Sequence, residues 1–279
     1  MTRRARRAAC TLAALLAWGC AGTAPTPNAS ELLAAALNQR GARSFEQGDY
    51  RRAAALYEQA LRFNSALENT DGIASNALSL ARTWQAAGDT AAAHRALETV
   101  LADGPLRFAP AQRAEARARK AQLYLEAGDP ESARRWSEDA LSSCGACAVL
   151  AAIQTVRGRA SLAAGDPASA LEWGGRALAA SSGAQAHERS SALRLIGEAH
   201  IVRGDYQAAL APLEQSLELD RGLGLPARIY ADLMALGQVQ VKLGNRVKAL
   251  EYFTRARSVS AAAGDEAGAR AAGQAMEGL

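Results

Sequence analysis

The chain has 279 residues, with 32 Lys or Arg, 28 Asp or Glu and a formal net charge of +4. Four arginines lie in the first 19 residues, which contain no acid, so the rest of the chain has 28 basic residues (32 − 4 = 28) and 28 acidic residues. A neutral chain lacks the basic field that recruits nucleic acid, and we expect no nucleic-acid partner. Hydrophobic residues make up 49% of the chain but aromatic residues only 5%, which indicates many thin, alanine-lined helix contacts.

The first residues predict export. A positive start at residues 3–7 precedes an apolar run of 11 residues from Ala8 to Trp18, which is too short to span a bilayer as a helix. We therefore predict that residues 1–19 are a secretory signal. The run ends at Gly19-Cys20 in a sequence that resembles the bacterial lipobox, which implies that Cys20 is the lipidation site.

The resemblance to a lipobox implies a place in the bacterial cell envelope. Ala21, rather than an aspartate, follows the cysteine, which by analogy favours an outer-membrane lipoprotein that faces the periplasm, attached to the membrane through Cys20. The alternative is ordinary cleavage near Ala21 or Ala24, which would leave a soluble periplasmic protein. In either case residues 20–30 are predicted to be a flexible tether, because the stretch is rich in Pro, Ser and Thr and has no apolar period. Ser30 is predicted to be the N-cap of the first helix.

A Gly-Asp or Gly-Asn pair recurs six times in the remaining chain, and the intervals between the glycines are 40, 40, 37, 39 and 40 residues. Glycine can take the left-handed conformation that ends a helix, and Asp or Asn can accept a hydrogen bond from the amides that begin the next one. A turn that recurs at this period predicts an array of helix hairpins. The six pairs are Gly48-Asp49, Gly88-Asp89, Gly128-Asp129, Gly165-Asp166, Gly204-Asp205 and Gly244-Asn245.

Small residues recur at fixed distances from these turns, five residues after, seven before and twelve after each glycine, where they let antiparallel helices approach closely. We predict helix pairs over about 31–65, 72–103, 111–142, 148–181, 185–221 and 226–263. Pro212 should kink its helix without ending it, because the apolar pattern continues beyond it. Residues 264–279 follow as a lone helix that caps the array.

The turn, its period and the small residues around it resemble the tetratricopeptide repeat family over residues 31–263. The resemblance implies an all-α fold, a right-handed superhelix of about six antiparallel helix pairs with a C-terminal capping helix. It also implies a non-catalytic scaffold that holds a peptide or helix of another protein, here another envelope protein, on its concave face. We expect no cofactor and no small-molecule substrate.

In the family, side chains about three and six residues before the turn glycine point into the concave groove, and residues ten before can join them. An alternative interpretation is that these positions are only solvated helix faces. The groove candidates are Arg82, Gln85, Gln122, Leu125, Arg159, Leu162, Arg194, Glu198, Ile201, Met234, Gln238 and Val241.

Cys144 and Cys147 form the one motif with chemical potential. A disulfide is the favoured interpretation, because an exported protein meets an oxidising compartment. A redox-active pair or a metal site remains open, and would make the chain a periplasmic thiol–disulfide or metal-handling protein. Two thiolates supply only half of a tetrahedral site, so we assign no metal ligand. The sequence has no phosphate loop or nucleophile elbow, and we predict no enzyme activity.

Overall fold

The computed structural model describes residues 28–183 and 185–279, and these residues form thirteen α-helices and no strand. The predicted signal and Cys20 lie outside the described residues. The helices are α1 (Ala29–Glu46), α2 (Tyr50–Ala66), α3 (Thr70–Ala86), α4 (Thr90–Leu101), α5 (Pro110–Glu126), α6 (Pro130–Cys144), α7 (Leu150–Ala163), α8 (Pro167–Ala180), α9 (Ala186–Arg203), α10 (Tyr206–Gly222), α11 (Pro226–Lys242), α12 (Arg246–Ala262) and α13 (Glu266–Glu277).

The first helix begins earlier than we expected. Asn28, not Ser30, is its N-cap, because the Asn28 side chain accepts a hydrogen bond from the Glu31 amide at 2.9 Å. The Glu31 carboxylate in turn accepts from the Asn28 amide at 2.8 Å, which completes a capping box. Ser30 is therefore a residue of the first turn of α1, because Glu31, three residues after Asn28, pairs with Asn28.

The six turn glycines all take the left-handed conformation that the sequence predicts, with φ between 75° and 83°. The following Asp caps the next helix at Asp49, Asp89, Asp129 and Asp166, each of which accepts a hydrogen bond from an amide three residues later. At the last two turns the predicted cap is absent. Asp205 is near Arg203 instead, at 3.1 Å, and the Asn245 amide group donates to Gln240.

The helices stack in sequence order as an all-α superhelix of six antiparallel pairs and a terminal helix. Each helix packs mainly on its neighbours in sequence, and the first helices of successive pairs also touch, α3 on α5, α5 on α7, α7 on α9 and α9 on α11. The α13 helix packs on α12 and buries Ala272 against the C-terminal core. Helix α10 continues through Pro212 to Gly222, as predicted.

Within a pair, the residue seven before the turn glycine and the residue nine after it share one space. A β-carbon on Gly41, Gly197 or Gly237 would overlap Tyr57, Leu213 or Phe253. Where the earlier residue is alanine, as at Ala81, its partner Leu97 packs in the same cluster without overlap. In the fourth pair both positions are glycine, Gly158 and Gly174, and the next pair fills the space with Leu195 and Ile196.

Candidate functional site

First helices line a groove on the concave face in the middle of the array. Its volume is ≈ 700 Å³, within the range of about 300–1,000 Å³ common for ligand pockets. Helices α5, α7 and α9 form most of its wall, and Arg228 of α11 closes one end. The predicted groove residues that line it are Gln122, Leu125, Arg159, Leu162 and Glu198.

The groove floor is apolar where small and branched side chains of α7 meet α5. Ala118 and Leu125 of α5 line it together with Ala152, Val156 and Leu162 of α7. Each of these helices is the first of its pair. It has small side chains where it contacts its neighbour most closely and larger aliphatic side chains beside them. A partner segment can therefore bury apolar side chains along the floor.

Charged side chains stand on this apolar floor. Burial lowers the pKa of Arg119, and attraction by Glu115 opposes the shift. Burial also lowers the pKa of Arg159, with Glu198 opposing, and raises the pKa of Glu198 itself. Each shift has desolvation as its main cause, so these groups lie where water is scarce and where charge interactions are strong.

Other predicted groove residues lie away from this groove. The Arg82 guanidinium stacks over the Phe45 ring at 4.4 Å from its centroid, and Gln85 donates to Glu126 across α3 and α5. Ile201 and Met234 are partly buried against the C-terminal core, and Gln238 and Val241 are exposed on α11.

Arg194 has a different environment from the one its position suggested. It is 7% exposed, and its Nε donates to Asp232 at 2.7 Å while an Nη donates to Asp220. Both carboxylates are fully buried, and Ser216 donates to Asp232 at 3.1 Å. Arg194 therefore ties α9 to α10 and α11 and offers no free guanidinium to the groove.

This buried network reaches the groove at one edge. Arg228 donates to Asp220 at 3.0 Å, and its Nη1 lies 3.2 Å from Nε2 of His187. Burial lowers the pKa of His187, with Arg228 the next cause, so His187 is neutral at pH 7 and Nε2 can accept from Arg228. Asp220, Asp232, Arg194 and Arg228 thus form a network of two negative and two positive charges. Sequence analysis missed it, although an Asp between Tyr230 and Leu233 in an apolar helix is a signal.

Cys144 and Cys147 form a disulfide with an S–S distance of 1.92 Å in the link between α6 and α7. Cys144 is buried in an apolar cluster with Ala118 and Ile153, and Ala118 also lines the groove. The bond therefore lies directly behind the groove wall.

The described residues contain neither a metal-binding cluster nor a helix that could cross a membrane. No group of three or more His, Cys, Asp or Glu side chains among them is arranged to hold a metal ion. Between residues 28 and 279, excluding 184, no helix combines the length and apolar character needed to cross a bilayer.

The architecture defines a class of protein, an α-helical repeat scaffold. A family profile described as tetratricopeptide repeat matches residues 33–71, and the fold of the described residues is that of a tetratricopeptide-repeat solenoid. Such a fold suggests a scaffold for protein–protein interaction, and the proteins that share it are generally non-catalytic. A comparison with curated protein sequences gave no match.

Solved structures share the fold at low sequence identity. A chain of the APC/C hetero-tetramer Cut9–Hcn1 has a TM-score of 0.68 at 13% identity. The match covers 88% of the present chain but only 42% of that chain. PilW, a type IV pilus biogenesis factor, has a TM-score of 0.60 at 18% identity over 85% of this chain and 97% of its own. PilF of Pseudomonas aeruginosa has a TM-score of 0.55 at 16% identity over 87% and 97%.

Proposed function

We propose that the mature chain is a non-catalytic scaffold of the bacterial cell envelope. Acyl groups on Cys20 hold it at the outer membrane, facing the periplasm. Its concave groove binds a peptide segment or a helix of another envelope protein. The observation that carries the proposal is the groove of ≈ 700 Å³ with an apolar floor and charged walls.

The shape and chemistry of the groove support a protein partner. Stacked hairpins give a long concave surface, and peptide recognition in such surfaces combines apolar anchors with a few fixed polar groups. A lipid anchor would raise the local concentration of the scaffold near a membrane-bound partner. PilW, an array that this chain covers almost entirely, is a biogenesis factor of the type IV pilus, and its likeness here is one of fold.

Mass spectrometry of the mature N-terminus tests the anchor. We expect the first residue to be Cys20 carrying acyl groups. A mature chain that begins after Cys20 without acyl groups would remove the lipoprotein part of the proposal and leave the groove untouched.

A matched pair of variants tests the groove. Ala152 lines the groove on α7, so Ala152→Trp should fill it, whereas Ala91 is exposed on α4 and Ala91→Trp adds the same ring to a second helix. Tagged full-length protein would be cross-linked in cells, and its partners recovered from solubilised membranes. We expect one stoichiometric partner with wild type and Ala91→Trp but not with Ala152→Trp. Equal recovery with both variants contradicts groove binding.

A further inference from the structure

The first helix has a row of exposed side chains at positions that are covered in the later pairs. Twelve, eight and five residues before the turn glycine, α1 has Ala36, Arg40 and Arg43, and all three are exposed. Nearer the start of the helix, Leu32 and Leu33 are 58% and 44% exposed. The spacings of three and four residues place these five side chains on one face of α1, which we call the open face.

In the later pairs, the second helix of the preceding pair packs against these positions. The residue twelve before the glycine is buried in all five later first helices, as Asn76, Ala116, Ile153, Ala192 and Asp232. Asn76 accepts a hydrogen bond from Asn64 of α2 at 2.8 Å. Eight residues before the glycine, Lys120 pairs with Glu98 of α4. No described pair precedes α1, so its open face is the side of a seam that lacks its second helix.

The open face is apolar near the start of α1 and basic near its end. The sequence between Leu32 and Phe45 contains no acidic residue, and neither Arg40 nor Arg43 forms an ion pair with a described carboxylate. Helices that lie on membrane surfaces combine large apolar side chains with arginines that attract anionic lipids. The open face therefore matches the chemistry of an anionic phospholipid surface.

The position of the open face in the chain favours the same partner. Cys20, the proposed lipidation site, is eight residues before Asn28, the N-cap of α1. Eight residues span at most about 29 Å when fully extended. Leu32, Leu33 and Ala36 lie in the first two turns of α1. Acyl groups on Cys20 would therefore hold the apolar part of the open face close to the bilayer.

A second copy of the chain fits the open face less well. Continuation of the array would need a second helix to cover α1, but the last second helix, α12, is itself covered by α13. Two copies that met through their open faces would bury Arg40 and Arg43 of both, with no acid on either face to pair with them. Burial of unpaired guanidinium groups is unfavourable, because the lost hydration is not replaced.

We propose that the open face of α1 lies on the anionic phospholipid surface of the membrane that holds the lipid anchor. Leu32 and Leu33 enter the boundary between headgroups and acyl chains, and Arg40 and Arg43 donate to lipid phosphates. The anchor attaches the chain, and the open face fixes the orientation of the array on the membrane. The inference rests on the proposed function, because the anchor at Cys20 brings the open face to the lipid.

Quenching of tryptophan fluorescence by brominated lipids tests the proposal. The acylated protein is reconstituted in vesicles of phosphatidylethanolamine and phosphatidylglycerol, with or without bromine on the acyl chains. Leu32→Trp reports on the open face, and Leu223→Trp, at the exposed C-cap of α10, is the matched control. We expect bromine to remove most of the fluorescence that Leu32→Trp adds to wild type and none of that added by Leu223→Trp. Equal quenching of the two variants, whether strong or absent, overturns the proposal.

Charge variants of the Leu32→Trp protein test the arginines. Arg40→Glu/Arg43→Glu should lose most of the quenching, whereas Arg95→Glu/Arg257→Glu, on exposed sites of α4 and α12, should keep it. Vesicles of phosphatidylcholine alone should also give less quenching, because they lack the anionic lipid that attracts the arginines. Circular dichroism checks folding, and Arg40→Gln/Arg43→Gln replaces the charge-reversed variant if it is not folded. Quenching that depends on neither the arginines nor the lipid charge overturns the proposal.

Sedimentation of a recombinant chain that begins at Cys20 tests the rival occupant. We expect a monomer in the absence of lipid. A dimer that Leu32→Ser/Leu33→Ser dissociates would assign the open face to a second copy and overturn the proposal.

The failure of this inference is distinguishable from failure of the proposed function. If Ala152→Trp does not alter partner capture, the groove proposal fails, and quenching of Leu32→Trp still supports the open face. If mass spectrometry finds no acyl group on Cys20, the anchor proposal fails. The recombinant chain is then coupled through the Cys20 thiol to a maleimide phospholipid, and the quenching is measured again. Quenching there supports the affinity of the open face for lipid, and its absence overturns it.

Discussion

Sixteen residues after a turn glycine, one side chain of the second helix points into the seam between neighbouring pairs. This side chain contacts two others. One lies ten residues before the same turn glycine, on the first helix of the same pair, and the other lies twelve residues before the next turn glycine, on the first helix of the following pair. In the first seam the three residues are asparagines, and Asn64 donates to Asn76 at 2.8 Å, which donates to Asn38. The same positions hold Ala118, Cys144 and Ile153 in the third seam and Arg194, Asp220 and Asp232 in the fifth. One structural position therefore hosts an amide network, a disulfide and an ionic network.

Among these seams, the fifth, with Arg194, Asp220 and Asp232, should lose the most stability when one of its three side chains is replaced. Arg194→Met leaves Asp220 and Asp232 fully buried with one cation fewer, which should lower the free energy of unfolding by about 3–5 kcal/mol. Arg221 is an exposed control whose nearest acid, Glu218, is 3.6 Å away, so Arg221→Met should cost at most about 1 kcal/mol. Urea unfolding measures both. Equal losses would mean that the buried network contributes no more than a surface pair.

Sequence alone could not separate Arg194 from the groove residues. Its distance from the turn fixes the face of the helix but not the partners, because Asp220 and Asp232 are 26 and 38 residues away. Five other candidates, three or six residues before their turn glycines, do line the groove. Spacing therefore predicts which face a side chain occupies, and the chemistry of distant residues decides whether it stays free.

At the scale of the helix pair, volume complementarity explains why glycine recurs seven residues before several turns. Gly237 faces the buried Phe253 ring, and a β-carbon there would overlap it. The sequence predicted close approach at these positions from small residues alone. It could not predict the repacking of the fourth pair, because Leu195 and Ile196 come from the next pair along the chain.

Two glycine substitutions should therefore have opposite effects. Gly237→Ala forces the rigid Phe253 ring to move and should destabilise the protein by about 1–3 kcal/mol. Gly175 lies within α8 with open space around it, so Gly175→Ala should stabilise by about 1 kcal/mol through helix propensity. Thermal unfolding of both variants measures the difference. Stabilisation by Gly237→Ala would show that the space is not filled.

The aspartate caps should make stability depend on pH. A hydrogen bond with Ser132 is the main cause that lowers the pKa of Asp129, and one with Ser169 does the same for Asp166. Because a lowered folded pKa means that the ionised form is favoured in the native state, this stability is present above the unfolded pKa of about 3.9 and is lost as pH falls through the folded value.

Urea midpoints of wild type and Asp129→Ala/Asp166→Ala, compared at pH 7 and at a series of values below pH 4, test the caps. Wild type should have the higher midpoint at pH 7, and the gap should narrow as the pH falls below the unfolded pKa of about 3.9. Asp103→Ala, at an exposed link residue, serves as the control and should show no such gap. A gap that is constant with pH would mean that ionisation of the caps does not matter.

For the whole molecule, the period of the turns was sufficient to predict the order and pairing of the helices. A hairpin that packs mainly on its neighbours needs no long-range information beyond that period. The period does not encode the identity of the partner in this way, because the groove combines side chains of α5, α7 and α9 that lie far apart in the sequence.

The same nearest-neighbour architecture predicts that damage to one seam stays local. The disulfide closes a short loop between α6 and α7, and loop-closure entropy for such a loop amounts to about 2 kcal/mol. In Cys144→Ser/Cys147→Ser, amide hydrogen exchange should accelerate in α5 to α7, which meet at the cluster of Ala118, Cys144 and Ile153. Exchange in α1 and α2 and in α11 to α13 should match wild type, because those helices do not pack on α5, α6 or α7 and are held by the asparagine and ionic networks. A uniform acceleration along the chain would instead mean that the array unfolds as one cooperative unit.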